Sequence, residues 1–200
     1  MSSSLRVVGI SGKIGSGKTE VAKHLIEERA FIADSIAMDI KLAVAKMTGT
    51  SLDDNKKRKD MVSRGQYEDG EVCVMTLGEH QVLYGKKQRA LHGDDIFVRR
   101  LWDRIVAAYS ECCDAAVDVR MQYVIDDVRL KCEAEFLSEK GATLIRLERS
   151  PKLRAPFMVG RDPTDITEVG LDDYPFEHVL QNDGTKDELF AAVDVLLEHV

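Results

Sequence analysis

One eight-residue segment near the N-terminus constrains this chain more than any other feature of its sequence. Residues 12–19 read Gly-Lys-Ile-Gly-Ser-Gly-Lys-Thr and fill every fixed position of the pattern G-x-x-x-x-G-K-[ST]. The preceding residues 5–10 are typical of a short buried strand, and residues 20–26 carry apolar side chains at helical spacing. A glycine-rich loop between a strand and a helix directs backbone N–H groups at one point, where the helix N-terminus adds partial positive charge. The segment therefore predicts a phosphate-binding loop.

The motif assigns different tasks to the residues of this loop. Backbone N–H groups would bind polyphosphate, the Lys18 ammonium would reach the β- and γ-phosphates, and the Thr19 hydroxyl would ligate Mg²⁺. The residues predicted to bind the nucleotide are Gly12, Lys13, Gly15, Ser16, Gly17, Lys18 and Thr19. An ordinary glycine turn is the alternative, but the eight-residue pattern should arise by chance in roughly one chain per hundred of this length.

Length and composition indicate one globular domain of 200 residues, 44% of them hydrophobic and 32% charged. The formal charge of −7 argues against a surface that coats nucleic acid, so an anionic substrate would need locally clustered Arg and Lys. No apolar run reaches the ~20 residues of a membrane span, and no secretory segment is recognisable. The four cysteines show neither metal-site nor disulfide spacing. We expect a cytoplasmic protein that binds neither nucleic-acid polymers nor membranes.

Strands and helices are predicted to alternate along most of the chain. The predicted strands cover residues 5–10, 30–33, 121–125, 143–147 and 178–181, and the helices between and after them include 20–26, 36–47, 128–139 and 185–200. Short strands separated by helices indicate an α/β protein: a P-loop NTPase fold of three α/β/α layers around a five-stranded parallel sheet. Ligands of such sheets bind at the carboxyl ends of the strands.

A mostly helical insertion, from about residue 35 to about residue 115, separates the second and third predicted strands and is the expected place for a second substrate. Its predicted helices cover residues 72–84 and 95–112, and residues 55–64 are predicted to form a solvated, mobile segment. Two helix starts carry capping signals: Asp34 or Ser35 is expected to cap the helix at 36–47, and Thr185 with Glu188 has the spacing of a capping box.

Two carboxylates and a cation follow the third predicted strand. Asp126, Asp127 and Arg129 come directly after its apolar residues. The end of a strand beside a phosphate loop can deliver an Asp to the Mg²⁺ shell, and Arg129 could clamp a phosphate. The alternative is that both aspartates cap the helix that is predicted to start near Val128. Which of the two serves the metal stays open.

Further arginines indicate a site for a second anion. Arg89 precedes a predicted loop, and Arg99 lies on the long helix after it, although a solvated helix face is the ordinary fate of such residues. Arginine suits a phosphate monoester because its planar fork donates to two oxygens. The polar stretch from about 150 to 170 is predicted to be a short lid that excludes water, with Arg149 and Arg161 among its arginines.

These segments together resemble the bacteriophage deoxynucleoside monophosphate kinases, a branch of the P-loop nucleoside monophosphate kinases. The blocks that carry the resemblance are residues 12–19, Ile40-Lys41, Asp127 with Arg129, Arg149, residues 167–171 (Thr-Glu-Val-Gly-Leu) and Asn182-Asp183-Gly184. Animal-type phosphomevalonate kinase shares the same blocks, including Glu168–Asp172. One departure is Thr19-Glu20, because both families usually carry Asp after the loop Lys.

The resemblance implies that ATP, with Mg²⁺, phosphorylates a deoxynucleoside 5′-monophosphate to the diphosphate. The catalytic residues would be Lys18, Asp127, Arg129 and Arg149; Asn182 and Gly184 would bind ATP with the loop; Thr19 and Asp126 would hold the metal; and Lys41, Arg89, Arg99, Arg129 and Arg161 would bind the acceptor. A phosphomevalonate kinase, and a nucleotide-dependent switch or non-catalytic nucleotide-binding module, remain the alternatives. Base preference stays open, as does the choice between a monomer and a homodimer.

Overall fold

A computed structural model describes residues 3–116, 118–160 and 162–200. Within it the chain forms two compact units, the first made of residues up to 35 and from 102 onward, the second of residues 36–101. The strands are β1 (Ser4–Ser11), β2 (Ile32–Asp34), β3 (Val62–Gln66), β4 (Val72–Thr76), β5 (Arg120–Ile125), β6 (Thr143–Glu148) and β7 (His178–Gln181).

The helices lie between and after these strands. They are α1 (Lys18–Arg29), α2 (Met38–Thr48), α3 (Leu52–Lys57), α4 (Leu77–His92), α5 (Ile96–Ala115), α6 (Lys131–Glu139), α7 (Pro151–Arg154), α8 (Ile166–Val169) and α9 (Lys186–Glu198), with a 3₁₀ turn at Ala155–Phe157. Within the described part of the chain, none of these helices combines the length and the apolar character that crossing a bilayer requires.

The first unit is built on a five-stranded sheet in the order β2-β5-β1-β6-β7, and every pairing in it is parallel. Val8 and Ile10 of β1 pack in one apolar cluster with residues of α1 and α9, such as Leu25 and Val193. The intervening Gly9 faces Leu137 of α6, and successive residues of a strand point to opposite faces. Helices therefore cover both faces, and the predicted three-layer α/β/α fold is confirmed.

Burial on both faces explains why the central strands β1, β5 and β6 contain short continuous apolar runs, whereas the edge strands β2 and β7 are partly exposed. The carboxyl ends of β1 and β5 lie at the same edge because the two strands are parallel and paired, with Gly9 opposite Ile125. The loop at residues 12–17 leaves β1 at this edge, and Asp126 leaves β5 there. The sheet thus brings together two motifs that are more than a hundred residues apart in the sequence.

The second unit contains the antiparallel hairpin of β3 and β4, against which α2 and α4 pack. Its interior holds His80, whose Nε2 lies 3.1 Å from the Ser63 carbonyl oxygen while its Nδ1 lies 2.9 Å from the Tyr67 hydroxyl. A carbonyl oxygen only accepts, so Nε2–H donates to it and the hydroxyl donates to Nδ1.

One sequence prediction for this unit is wrong: residues 72–84, predicted to be one helix, form β4 and then α4. Residues 55–64 are mostly exposed, as predicted, although they contain the end of α3 and the start of β3; their mobility stays a prediction. Val72–Thr76 pairs with β3 as an antiparallel strand, and in this pairing Val74 lies opposite Arg64. Thr76 then starts α4 through a capping box with Glu79.

The helix starts also differ from expectation in part. Neither Asp34 nor Ser35 caps α2, whose N-cap is Ala37; Asp34 instead forms a 3.0 Å ion pair with Arg104. The helix predicted from Val128 begins at Lys131, because Glu133 Oε2 accepts the N–H groups of Arg129 and Leu130 at 2.9 Å each. The capping box of Thr185 and Glu188 is confirmed at the start of α9.

Candidate functional site

The predicted phosphate loop connects the end of β1 to the first residue of α1. Gly15 and Gly17 have φ angles of +74° and +103°, a region that other residues rarely adopt. Both also lack room for a side chain: a Cβ would lie 2.7 Å from the Phe157 ring at Gly15 and 2.5 Å from Asn182 Nδ2 at Gly17. The loop conformation therefore depends on glycine at both positions.

The Asn182–Gly184 turn and the start of the predicted lid hold the outside of this loop. Asn182 Nδ2 donates to the Ser16 carbonyl oxygen at 2.8 Å, and Arg149 Nη1 donates to the Gly15 carbonyl oxygen at 3.2 Å. Asp183 accepts from the Ser150 N–H at 2.7 Å, which ties the turn to the lid. Gly184 is exposed beside these contacts.

Two buried polar atoms at the loop have no hydrogen-bond partner among the described residues. They are Ser16 Oγ and Arg149 Nε. Buried groups of this kind are normally satisfied, so each such case requires an explanation. An open cavity of about 420 Å³ adjoins the loop and is lined by both residues, with Lys13, Arg154 and Asp183 also in its wall. A polyphosphate in that cavity would lie against the residues that carry these two atoms, and a small movement of either side chain would let it accept from them.

Lys18 is buried at the centre of the loop. Its Nζ donates to the carbonyl oxygens of Gly12, at 2.5 Å, and Lys13, at 3.0 Å. Burial lowers the pKa of this ammonium from its ordinary 10.5 to about 8, and the nearby Arg129 guanidinium adds to the lowering, whereas Glu168 and Asp126 oppose it. A desolvated ammonium beside further cations is prepared to receive a polyanion.

This pKa predicts how activity depends on pH. The free protein loses the Lys18 proton as the pH rises through about 8, so kcat/KM for ATP should fall above that pH. A bound phosphate favours the charged form, which places the decline of kcat at a higher pH than the decline of kcat/KM. A pH-rate series measures both limbs, and a kcat/KM that stays constant between about pH 7 and pH 10 would contradict the prediction.

Thr19 and Asp126 meet at the edge of the sheet. The Thr19 hydroxyl donates to Asp126 Oδ2 at 3.2 Å. Hydroxyl and carboxylate oxygens are the hard ligands that Mg²⁺ prefers, usually with phosphate oxygens and waters completing the octahedron. The described residues contain no group of three or more His, Cys, Asp or Glu side chains that could hold a metal alone. The pair therefore fits an ion that arrives with a polyphosphate, and Asp127 is the next residue along the chain.

Replacement of Asp126 tests which of the two aspartates serves the metal. We expect Asp126→Asn to raise the Mg²⁺ concentration for half-maximal activity by about tenfold or more, because a neutral amide is a weaker ligand. Asp127→Asn should shift this concentration less. Titration of the initial rate with Mg²⁺ at fixed ATP distinguishes the two, and the reverse ranking would move the metal to Asp127.

Arg129 lies beside the loop, held by a carboxylate that sequence reasoning did not assign a role. Glu168 Oε1 lies 3.6 Å from Arg129 Nη1, and its Oε2 accepts from the Ile14 N–H at 2.8 Å. Asp172 similarly joins Lys13 Nζ, at 2.6 Å, to the buried Arg146, at 2.9 Å. Glu168 and Asp172 belong to the Glu-x-Gly-Leu-Asp block, which was the available signal for them.

The predicted acceptor-binding residues Lys41, Arg89 and Arg99 all lie in the second unit, on α2, α4 and α5. The Arg89 guanidinium lies 5.1 Å from the centre of the Phe97 ring. Arg99 Nη2 donates to the His92 carbonyl oxygen at 2.7 Å and pairs with Asp95 at 3.2 Å. Arg161 lies outside the described residues.

A phosphate loop at the carboxyl edge of a helix-covered parallel sheet is the arrangement of the P-loop nucleotide-binding proteins. The family model of deoxynucleotide monophosphate kinases matches residues 89–193, which is more than half of this chain. The chain therefore belongs to the deoxynucleotide monophosphate kinase family, and the resemblance found in the sequence is confirmed.

The chain is also similar to individual known proteins. A protein of Acanthamoeba polyphaga mimivirus, provisionally named a deoxynucleotide monophosphate kinase, is 25% identical over 196 residues, which are 94% of this chain and 93% of that protein. Among solved structures, shikimate kinase from Acinetobacter baumannii in complex with shikimate has a TM-score of 0.48 at 14% identity and covers 98% of this chain and 94% of its own. Shikimate kinase from Aquifex aeolicus has the same TM-score at 11% identity, covering 96% of each chain.

Proposed function

We propose that this protein transfers the γ-phosphoryl group of ATP to a deoxynucleoside 5′-monophosphate, giving ADP and the deoxynucleoside diphosphate. Membership of the family supports a nucleotide kinase. The observation that carries the proposal is the cluster around the loop, where buried Lys18 lies with the unpartnered atoms Ser16 Oγ and Arg149 Nε. Such an arrangement suits a polyphosphate better than it suits any neutral ligand.

The residues of the loop would bind and orient ATP. Lys18 would turn from the Gly12 carbonyl to the β- and γ-phosphate oxygens, while Arg129 and Arg149 compensate charge on the moving phosphoryl group. Thr19 and Asp126 would hold Mg²⁺, which supplies further charge compensation on the phosphate oxygens. An acceptor phosphate oxygen is already anionic at neutral pH, so it attacks the γ-phosphorus without a general base as the bond to the β–γ bridging oxygen breaks.

Lys41, Arg89 and Arg99 are the proposed ligands of the acceptor phosphate, with Arg161 as a further candidate. The support is chemical: arginine presents a planar, permanently charged fork that matches two phosphate oxygens. Arg99 is already oriented by Asp95 and the His92 carbonyl. In this proposal the insertion at about 35–115 binds the acceptor, and the segment at about 150–170 is a lid that excludes water during transfer.

Phosphomevalonate kinase activity is the second candidate, because one block of this sequence resembles that family. The Glu168–Asp172 block, which animal-type phosphomevalonate kinases share, contacts the phosphate loop at both of its acidic residues. A role beside the donor site, however, does not discriminate between acceptors. A nucleotide switch is the candidate from outside the kinases, and it has no need of a second anion site.

An ADP-release assay against the four deoxynucleoside monophosphates and phosphomevalonate separates these candidates. We expect rapid ADP release only in the presence of at least one deoxynucleoside monophosphate. Release with phosphomevalonate alone would establish the second candidate. Slow release that is independent of every acceptor would favour a switch and contradict the proposal.

A further inference from the structure

Glu168 is a buried carboxylate placed between two parts of the donor site. It lies on α8, and only 8% of the residue is exposed. One of its oxygens accepts from the Ile14 N–H at the tip of the phosphate loop, and the other pairs with Arg129. A buried carboxylate is costly unless it is both paired and hydrogen-bonded, and this one is both.

The cations around Glu168 indicate its electrostatic role at the phosphate loop. Arg129 and Arg146 both disfavour the charged form of Lys18, because each positive charge repels its ammonium. Glu168 favours the charged form of Lys18 and forms an ion pair with Arg129. In the protein without ATP, Glu168 places a fixed negative charge among these cations, and its pairing with Arg129 offsets part of their repulsion.

We propose that Glu168 is a positioning residue for phosphoryl transfer, whose carboxylate fixes the Arg129 guanidinium to the tip of the phosphate loop at Ile14. Arg129 is thereby kept within reach of the same phosphoryl group as Lys18 before ATP arrives. This inference rests on the proposed function, because it concerns the step in which Arg129 compensates charge. It adds a role for a side chain that the phosphate-loop motif does not contain.

A positioning role and a merely structural role have different kinetic consequences. Glu168→Gln keeps an acceptor for the Ile14 N–H and loses the charge that holds Arg129. We therefore expect kcat to fall by about tenfold to a hundredfold while KM for ATP stays within about threefold of the wild type, because the loss falls on the transition state. Asp173→Asn is the matched control: it makes the same charge change in the same segment, at an exposed side chain without a hydrogen bond or ion pair among the described residues.

A double-mutant cycle with Arg129→Lys tests whether Glu168 acts through Arg129. We expect the double variant Glu168→Gln/Arg129→Lys to lose no more kcat than Arg129→Lys alone, since residues that act as one unit are not additive. Additive losses in kcat, or an equal effect of Asp173→Asn, would overturn the inference. If Glu168→Gln does not fold, the same cycle is run with Glu168→Asp, whose shorter side chain cannot reach both partners.

Amide exchange at Ile14 provides a readout that does not depend on activity. In the ATP-free protein, NMR should show slow exchange of this amide in the wild type and faster exchange in Glu168→Ala, because its acceptor is lost. Unchanged exchange would overturn the inference. A wild-type protein that transfers no phosphoryl group contradicts the proposed function instead, so the two failures are distinguishable.

Discussion

Replacing Lys18 with Met is expected to lower kcat by about a hundredfold to a thousandfold while leaving the fold intact. The Lys18 ammonium is buried beneath the loop, where water cannot take its place against the phosphate oxygens. Its present hydrogen bonds go to the buried carbonyl oxygen of Gly12 and the partly buried carbonyl oxygen of Lys13, so both bonds lie within the loop itself. Methionine keeps most of the length of the side chain and removes its charge together with these two hydrogen bonds.

Steady-state kinetics with saturating ATP and acceptor measures this effect, and circular dichroism with a thermal melt verifies the fold. Lys23→Met is the matched control, because Lys23 lies on the same helix with an exposed side chain. Its kcat should equal that of the wild type. A folded Lys18→Met protein with full activity would remove Lys18 from the mechanism.

Arg149→Lys is expected to lower kcat by about a hundredfold, although the positive charge is retained. The guanidinium reaches the loop from outside, donates to the Gly15 carbonyl oxygen and keeps its Nε buried without a partner among the described atoms. A planar fork can hold the loop carbonyl and a phosphate oxygen together, whereas an ammonium is a single point charge.

The kinetics of Arg149→Lys should be compared with those of Lys152→Met, an exposed cation three residues further along the same segment. The Lys152 variant should have wild-type kcat. If Arg149→Lys retains more than about half of the wild-type kcat, then charge alone suffices and the fork has no special role.

Local sequence patterns were sufficient for the sheet and the loop, and insufficient for the hairpin of the second unit. The apolar runs of the central strands β1, β5 and β6 are buried, and the order of the strands between helices leaves few arrangements of a parallel sheet. The run from Val72 to Thr76 is short enough to suit either a helix or a strand by its periodicity. It forms a strand because it pairs with Val62–Gln66, and the residues of the run alone do not predict that pairing.

The candidate site also has a part that local sequence patterns predict and a part that they do not. The loop residues and the Asp126 carboxylate follow directly from motif and strand position, although the sequence left Asp126 and Asp127 equivalent. The structure distinguishes the two by one contact, because the Thr19 hydroxyl donates to Asp126. Glu133 closes the N-terminus of α6, so both aspartates lie outside that helix. Glu168 reaches Ile14 across 154 positions of the sequence, so no local pattern predicts that contact.

Isothermal titration calorimetry of the purified protein with ATP, in the presence and absence of Mg²⁺, tests the central claim most directly. We expect saturable binding of one ATP per chain that is much tighter with Mg²⁺, with a dissociation constant in the range of about 1 μM to 1 mM that is typical of enzyme substrates. Correctly folded protein that takes up no ATP in the presence of Mg²⁺ would contradict the assignment of residues 12–19 as the donor site.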